Sequence, residues 1–195
     1  NLKPSGDSSG LVVGLVDTAV QSLGNDLDKF VTKHLSVAGD SEADGNAPLH
    51  GTTMFESILR GMQSTGGDTA TAQFISVDVF GKNGGTSTFD VAAGIVLAVN
   101  NGANWINVSL GGDGSSATLQ NIVQSVSDRG IAIFAAAGNE PTGQPVYPAA
   151  YSGVTAVTAV NQGKLASYAN MADFVDVGAP GSGIVYYQNR PYVVQ

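Results

Sequence analysis

The chain has 195 residues, a net charge of −8, a charged fraction of only 12% and no cysteine. A surface with so few lysines and arginines releases few counterions from phosphates, which argues against nucleic acid as a partner. The lack of cysteine excludes disulfides, thiolate metal sites and a cysteine nucleophile, and no apolar run reaches the length of a membrane span.

The first third of the chain predicts one buried strand, one long loop and one helix. Residues 11–16 are nearly all apolar or β-branched, the pattern of a strand covered on both faces, and they lead into Asp17. Residues 21–49 are irregular and acidic, so we expect a solvated surface loop there. A helix then begins at His50, because the apolar residues between 54 and 62 recur at helical spacing.

The rest of the chain alternates apolar strands with helices. A capping box at Ser87 and Asp90 predicts a helix to about residue 100, and Gly130 ends a second helix that starts at residue 117. Further strands are predicted at 74–80, 104–110, 154–160 and 174–177 and from Ile131 onward, with a hairpin at 184–195. This order predicts an α/β fold with a doubly wound, mainly parallel sheet and helices on both faces. The length predicts a single domain over residues 1–195.

Three polar residues that end or follow apolar segments could together perform acyl transfer. This chemistry needs a base, a group that orients the base, and hydrogen-bond donors for an oxyanion. His50, Asp17 and Asn139 suit these roles, and the first turn of a helix fixes the direction of a histidine and favours its neutral form. Taken singly, each residue also fits a structural role. Asp17 could cap a turn, His50 could be satisfied by local hydrogen bonds, and Asn139 could belong to a turn after a core strand.

Six short motifs, taken together, resemble one enzyme family. They are Asp17-Thr18, His50-Gly51-Thr52, Ser109-Leu110-Gly111-Gly112, Ala136-Ala137-Gly138-Asn139-Glu140, Tyr147-Pro148-Ala149 and Ala179-Pro180-Gly181. In this order, from about residue 11 to residue 195, they resemble the subtilisin-like serine proteases, or subtilases. The resemblance implies a subtilisin-like peptidase domain that hydrolyses peptide bonds in peptide or protein substrates.

The resemblance also implies roles for individual residues. Asp17 would orient His50, His50 would act first as general base and then as acid, and Asn139 would donate its amide to the oxyanion. A substrate peptide would lie as an added strand between two backbone edges. These edges are Gly84, Gly85 and Thr86 on one side and Ser109, Leu110 and Gly111 on the other.

The pocket for the substrate side chain before the scissile bond carries two conflicting indications. By resemblance, Ala136, Ala137 and Gly138 would form its wall. Val146 would lie at its base, where the bulk of valine favours a modest side chain, whereas the nearby Glu140 favours a basic one. The substrate preference therefore stays open on the sequence alone.

One part of the family pattern is not found in these residues. The family carries its nucleophilic serine in a Gly-Thr-Ser motif shortly after the Ala-Pro-Gly segment, and this sequence stops at Gln195, where that motif should follow. Gly85-Thr86-Ser87 has the same letters but lies far upstream, and Ser182 has no such motif around it. We therefore expect a domain truncated at its carboxyl end and inactive alone, with a C-terminal fragment or a propeptide as candidate partner.

A non-catalytic peptide-binding pseudoprotease on the same fold is the alternative. Thr53 stands where the family usually has a second histidine, and Met54-Phe55-Glu56 replaces residues that are usually small. Both departures favour a binder. The joint presence of Asp17, His50 and Asn139 favours the protease, because a binder does not need all three.

The resemblance further implies a secreted or extracytoplasmic protein with no required cofactor. Structural calcium has Asp26 as its only candidate ligand, since the calcium-binding loop of many relatives is not evident in residues 63–72. Nucleotide binding is disfavoured, because Gly10 and Gly14 do not form a phosphate loop after the first strand.

Overall fold

A mainly parallel sheet forms the centre of the fold. The computed structural model describes residues 10–39, 41, 45–66, 69 and 71–194. The strands of the described residues are β1 (Val12–Asp17), β2 (Val31–Ser36), β3 (Gln73–Asp78), β4 (Trp105–Val108), β5 (Ala132–Ala136), β6 (Val154–Asn161), β7 (Lys164–Leu165), β8 (Val177–Pro180), β9 (Gly183–Tyr187) and β10 (Arg190–Val194). The helices are α1 (His50–Ser64), α2 (Thr88–Asn100) and α3 (Ala117–Asp128), with a short 3₁₀ helix over Asp26–Phe30.

The strands of the main sheet lie in the order β2-β3-β1-β4-β5-β6-β7, and β8 also pairs with β6. Every pair is parallel except β6 with β7. The predicted α/β fold with a mainly parallel sheet is therefore confirmed. Because the strands run in one direction, the carboxyl ends of β1, β4 and β5 meet at one edge of the sheet, where open α/β sheets bind their ligands.

Helices lie on both faces of the sheet and bury two separate cores. On one face, α2 and α3 pack residues such as Ile95 and Val123 against Ile106 of β4 and Ile133 of β5. On the other face, α1 packs against β1 and β3, and the buried residues of this second core include Phe55, Leu59, Val13, Leu15 and Phe74.

The face that carries α1 is only partly covered within the described residues. Side chains alternate between the two faces of a strand, so Trp105 of β4 lies on the side opposite Ile106. The register continues this row across the sheet, from β5 through β6 to β8. We call the surface formed by Trp105, Phe134, Val157 and Val177 the open face, because Trp105 is 45% and Val177 47% exposed.

The predicted capping residues at the start of α2 and the end of α3 are confirmed. The Ser87 hydroxyl accepts a hydrogen bond from the Asp90 N–H at 3.1 Å and donates to its carboxylate at 2.6 Å. Gly130 follows α3 with a φ of +76°, a conformation that glycine adopts without strain. No helix in the described part of the chain is long and apolar enough to cross a bilayer.

The prediction of a surface loop over residues 21–49 is wrong in its central part. Residues there form the 3₁₀ helix and then β2, which pairs with β3 at the edge of the sheet. Thr32, Lys33 and His34 in the middle of β2 are exposed. An exposed edge strand carries no apolar periodicity, which is why the sequence pattern did not indicate it.

Two smaller differences lie in the last third of the chain. The strand predicted at 174–177 is observed as β8, which begins only at Val177, and the two-residue strand β7 was not predicted.

The predicted terminal hairpin is confirmed as β9 and β10. It lies against α1, where Val185 and Tyr187 are buried and the Tyr186 N–H donates to Glu56 Oε2 at 2.9 Å.

Candidate active site

Asp17 and His50 are in direct contact at the carboxyl end of β1. The side chain of Asp17 is 1% exposed, and its two carboxylate oxygens lie 2.8 and 2.9 Å from His50 Nδ1. The Thr18 N–H also donates to this carboxylate, at 2.7 Å. With Nδ1 donating to Asp17, Nε2 of His50 is left as the acceptor nitrogen. The pair therefore has the arrangement of an oriented general base.

The contact raises the pKa of His50 above its ordinary value. The main cause is the hydrogen bond with Asp17, which stabilises the imidazolium, and the negative charge of Asp17 acts in the same direction. Partial burial of the ring opposes both effects. The dipole of α1 alone favours the neutral form, as the sequence suggested, but a carboxylate in direct contact outweighs it.

The segment that follows Asp17 holds the first turn of α1 in place. The N-cap residue Leu49 makes no side-chain capping bond, and Thr18 Oγ1 instead accepts from the Gly51 N–H at 2.7 Å. A Cβ on Gly51 would lie 2.1 Å from the Thr18 carbonyl oxygen, so only glycine allows this approach. Gln21 Oε1 accepts from the Leu49 N–H at 2.6 Å. These contacts fix the backbone from which His50 projects.

Asn139 lies at the same edge of the sheet, in the turn after β5. The Ala137 N–H donates to the Val157 carbonyl at 2.9 Å, and Gly138 then turns the chain with a φ of +103°. The Asn139 side chain that follows is exposed. Only β4 separates β1 from β5, which sets these two strands about 10 Å apart. An amide here can donate to a group bound between Asn139 and His50.

The two predicted backbone edges lie beyond the carboxyl ends of β3 and β4. Gly84 and Gly85 are exposed, and Thr86 is anchored by its hydroxyl, which donates to the Val79 carbonyl at 2.6 Å. Residues 109–111 follow β4, and Ser109 Oγ accepts from Asn107 Nδ2 at 2.8 Å. Leu110 packs against the core, while Gly111 is exposed.

Val146 fills the space between one predicted backbone edge and the predicted pocket wall. A Cβ on Gly111 would lie 2.5 Å from Val146 Cγ1, and one on Gly138 would lie 3.1 Å from Val146 Cγ2. Backbone hydrogen bonds between Gly112 and Tyr147, at 2.9 and 3.1 Å, hold the loop of Val146 beside the end of β4. The valine side chain therefore occupies the cleft between the segments after β4 and β5.

The remaining predicted pocket residues differ in exposure. Ala136 ends β5 and is half-buried, Ala137 is fully buried, and Glu140 is exposed beyond Asn139. Ala136 and Gly138 are therefore the accessible residues of the predicted wall, and the exposed Glu140 follows them in the chain.

Two serines and one aspartate take no part in the Asp17–His50 contact. Ser87 caps α2, and Ser182 is exposed between β8 and β9. Asp26 is exposed at the start of the 3₁₀ helix. Within the residues that the structure describes, no three His, Asp or Glu side chains converge as they would around a metal ion.

Three residues that surround the site were not recognised from the sequence as contributors. Thr18 and Gln21 hold the start of α1, as described above, and Asn170 is fully buried behind the turn of Asn139. Thr18 stands beside Asp17, which was the one available signal. Gln21 and Asn170 lie in stretches without helix or strand periodicity, and nothing in their local pattern indicates the contacts that they make.

The fold and the comparisons with known proteins define a subtilisin-like protein. The chain belongs to the subtilase family, which matches residues 8–192. It is 35% identical over 182 residues to the thermophilic serine proteinase of Bacillus sp. (strain AK1), covering 91% of this chain and 45% of that protein. It is also 35% identical over 179 residues to subtilisin Savinase of Lederbergia lenta, covering 90% and 65%.

The solved structures agree on the fold. A mutant of the protease domain of PatA superposes with a TM-score of 0.78 at 23% identity, over 94% of this chain and 72% of that structure. This likeness concerns the fold alone. The chain spans 45% to 65% of the length of the two curated relatives, so that a large part of each has no counterpart here.

Proposed function

We propose that these residues supply the base and the oxyanion donor of a subtilisin-type serine endopeptidase, and that its nucleophilic serine lies outside residues 1–195. The observation that carries the proposal is the contact of Asp17 with His50 Nδ1 at 2.8 Å, at the sheet edge that also bears Asn139. Membership of the subtilase family supports the reaction class.

In this mechanism His50 moves the proton and Asn139 stabilises the charge. Nε2 of His50 takes the proton of the serine hydroxyl while the serine oxygen bonds to the substrate carbonyl carbon. The carbonyl oxygen becomes an oxyanion, which accepts the Asn139 amide hydrogen bond, and Asp17 stabilises the imidazolium. His50 then gives the proton to the amide nitrogen as the carbonyl re-forms and the carbon–nitrogen bond breaks, which leaves an acyl-serine and a free amine. Water then attacks the acyl-serine in the same way, with His50 taking its proton and returning it to the serine oxygen, and the acyl group leaves as a carboxylic acid.

For the substrate we propose a peptide with a small side chain before the scissile bond. Val146 supports this choice, because it fills the cleft between Gly111 and Gly138. Glu140 is exposed at the outer end of the wall, where solvent screens its charge. Replacing Val146 with glycine should widen the cleft. The ratio of kcat/KM for a substrate with a large apolar side chain at this position to kcat/KM for a substrate with alanine there should then rise about tenfold. An unchanged ratio would place the specificity elsewhere.

The open face supports the need for a further segment. Trp105 and Val177 are about half exposed, although burying one large apolar side chain stabilises a fold by roughly 1.5–3 kcal/mol. A segment that carries the serine and packs on this face would supply that burial. It would act as a C-terminal continuation or as a separate fragment. A propeptide is the other candidate partner.

The proposal is tested by comparing residues 1–195 alone with the same residues supplied with the segment that follows in the gene. We expect no peptide turnover from residues 1–195, and turnover that a serine-directed phosphonate abolishes from the completed protein. In the completed protein, Asn139→Ala should lower kcat about 10²–10³-fold. Phosphonate-sensitive turnover by residues 1–195 alone would overturn the proposed location of the serine.

A non-catalytic peptide binder remains the second candidate. It is favoured by the departures at the start of α1, where Thr53 stands in the place of the family's usual second histidine and Met54-Phe55-Glu56 replaces residues that are usually small. The gene distinguishes the two candidates, because a Gly-Thr-Ser motif soon after residue 195 supports the protease. Its absence, together with tight binding of an uncleaved peptide, supports the binder.

We further propose that the protein is secreted and needs no cofactor, with Asp26 as a candidate calcium ligand only. Membership of the subtilase family supports secretion. Recovery of the protein from the culture medium of its source would test the location. Thermal unfolding with calcium and with a chelator would test the metal, and equal midpoints would exclude a stabilising calcium site.

A further inference from the structure

Asn170 is a fully buried amide that binds the backbone on both sides of the Asn139 turn. It lies between β7 and β8 and is 0% exposed. Its Nδ2 donates to the Ala137 carbonyl at 3.0 Å and to the Gln144 carbonyl at 2.9 Å, while its Oδ1 accepts from the Gly143 N–H at 2.9 Å. Both amide hydrogens and the oxygen are thus engaged, so the orientation of this side chain is fixed.

The backbone of Asn170 adds two contacts. Its N–H donates to the Gly138 carbonyl at 3.0 Å, and its carbonyl accepts from the Thr158 hydroxyl at 2.6 Å. Thr158 belongs to β6 and is itself buried, 6% exposed. Asn170 is therefore tied to the sheet on one side and to the segment just before Asn139 on the other.

These contacts join the two ends of one short loop, residues 139–142, which we call the Asn139 loop. Ala137 and Gly138 precede this loop, and Gly143 and Gln144 follow it. Residues 139–142 are themselves exposed. An exposed loop with little burial of its own depends on its ends for a fixed conformation.

We propose that Asn170 is a positioning residue that fixes the direction of the Asn139 amide by closing the Asn139 loop from behind. This inference rests on the proposed function, in which Asn139 donates to the oxyanion. A preorganised donor stabilises a transition state because it needs no reorganisation when charge develops. Without Asn170 the loop ends separate, and the donor is present but poorly aimed.

The test is a double-substitution cycle in the completed protein that turns over peptide. Asn170→Ala should lower kcat by about 10–100-fold, as misplacement by roughly 1 Å does. In a background that already carries Asn139→Ala, the same substitution should lower kcat by only about threefold or less, because the donor it would aim is gone. Asn170→Asp is a second variant, since it keeps the acceptor for Gly143 but cannot donate to Ala137 and Gln144.

Asn104 provides a matched control at the opposite edge of the sheet. Its side chain likewise bridges backbone groups, accepting from the Val12 N–H at 2.9 Å and donating to the Gly10 carbonyl at 3.3 Å. Asn104→Ala should leave the effect of Asn139→Ala unchanged. Effects of Asn170 and Asn139 substitutions that simply multiply would overturn the inference, because they would show a role in stability alone.

A second measurement separates failure of this inference from failure of the proposed function. In residues 1–195, amide hydrogen exchange at Gly143 should be about tenfold faster in Asn170→Ala and unchanged in Asn104→Ala, since one hydrogen bond is lost. Equal exchange at Gly143 in wild type and Asn170→Ala would overturn the inference. If instead Asn139→Ala leaves kcat unchanged, the proposed oxyanion role fails, whatever Gly143 shows.

Discussion

The two faces of the sheet are completed to different degrees. Beneath α2 and α3, Ile106 and Ile133 are at most 1% exposed. One position earlier on β4, Trp105 lies on the opposite face, is 45% exposed and has its ring 5.1 Å from that of Phe134. One face of β4 is therefore fully buried in the core, and the other face is a partly solvated apolar surface.

The site lies on the less complete side. Asp17 has the same position in the strand alternation as Val13 and Leu15, so its side chain lies on the face that carries α1 and reaches His50 there. The open face begins on the neighbouring strand β4. If the proposed serine-bearing segment packs on the open face, covering that face and completing the proposed site would be one event.

The largest expected difference between the faces is in stability. Ile106→Ala should lower the free energy of unfolding by about 2–5 kcal/mol, because it leaves a cavity under α2. Trp105→Ala, although it removes a larger side chain, should cost less, about 1–2 kcal/mol, because the ring is nearly half exposed and packs mainly on Phe134. Urea unfolding of residues 1–195 and of each variant measures both values.

Equal losses for the two variants would mean that the open face is covered in solution. Trp105 offers a direct check, because it is the only tryptophan of the chain. Acrylamide should quench its fluorescence readily in residues 1–195 and much less after the completing segment is added. Protection that rises with protein concentration alone would point to a second copy on this face.

A smaller effect is expected where the terminal hairpin joins α1. Glu56 is 1% exposed, accepts from the Tyr186 N–H at 2.9 Å and pairs with Arg60 at 2.5 Å. Glu56→Ala should lower stability by about 1–3 kcal/mol, because the Tyr186 N–H loses its partner. Glu56→Gln keeps that acceptor and loses only the pair with the partly exposed Arg60, so it should cost less than about 1 kcal/mol.

Unfolding midpoints of the two Glu56 variants measure the difference. Equal losses would assign the stabilisation to the charge pair with Arg60 rather than to the hydrogen bond with Tyr186. Exchange of the Tyr186 amide then shows directly whether the hairpin has loosened. It should be faster in Glu56→Ala than in Glu56→Gln.

The sequence predicted the buried strands well and the exposed ones poorly. Residues 11–16 and 154–160 are apolar on both faces, so their patterns indicate strands without reference to the rest of the fold. The strand β2 pairs on one side only and exposes Lys33 and His34, so pairing with β3 rather than local pattern decides its structure. Because β4 carries apolar residues on both faces, its sequence does not indicate which of the two faces is exposed.

For the site, the sequence indicated candidate groups but not the contacts that hold them. Asp17, His50 and Asn139 were indicated by their motifs, and the structure brings the first two into contact. The burial of Asn170 arises from loops far apart in sequence that pack together, which no local pattern encodes. The direction of the His50 pKa shift was missed for a related reason, since it depends on a distance across 33 residues of chain.

The smallest expected effect is on the titration of His50. It is also the most direct measure of the contact between His50 and Asp17. Its pKa is raised in the folded chain by Asp17, so protonation of His50 stabilises the fold. This contribution is fully present below the unfolded-state pKa of about 6.5 and is lost as the pH rises through the folded-state pKa. Asp17→Asn should therefore reduce stability relative to wild type more at about pH 5.5 than at about pH 9.

Imidazole NMR signals give the pKa itself, with His34→Gln to remove the signal of the only other histidine. Asp17→Asn should lower the pKa of His50, and an unchanged value would contradict the contact. Covering the open face should also lower it while Asp17 stays in place, because further burial disfavours the imidazolium. A lower pKa in the completed protein, still sensitive to Asp17→Asn, would therefore show that the segment packs against His50 without breaking the contact that orients it.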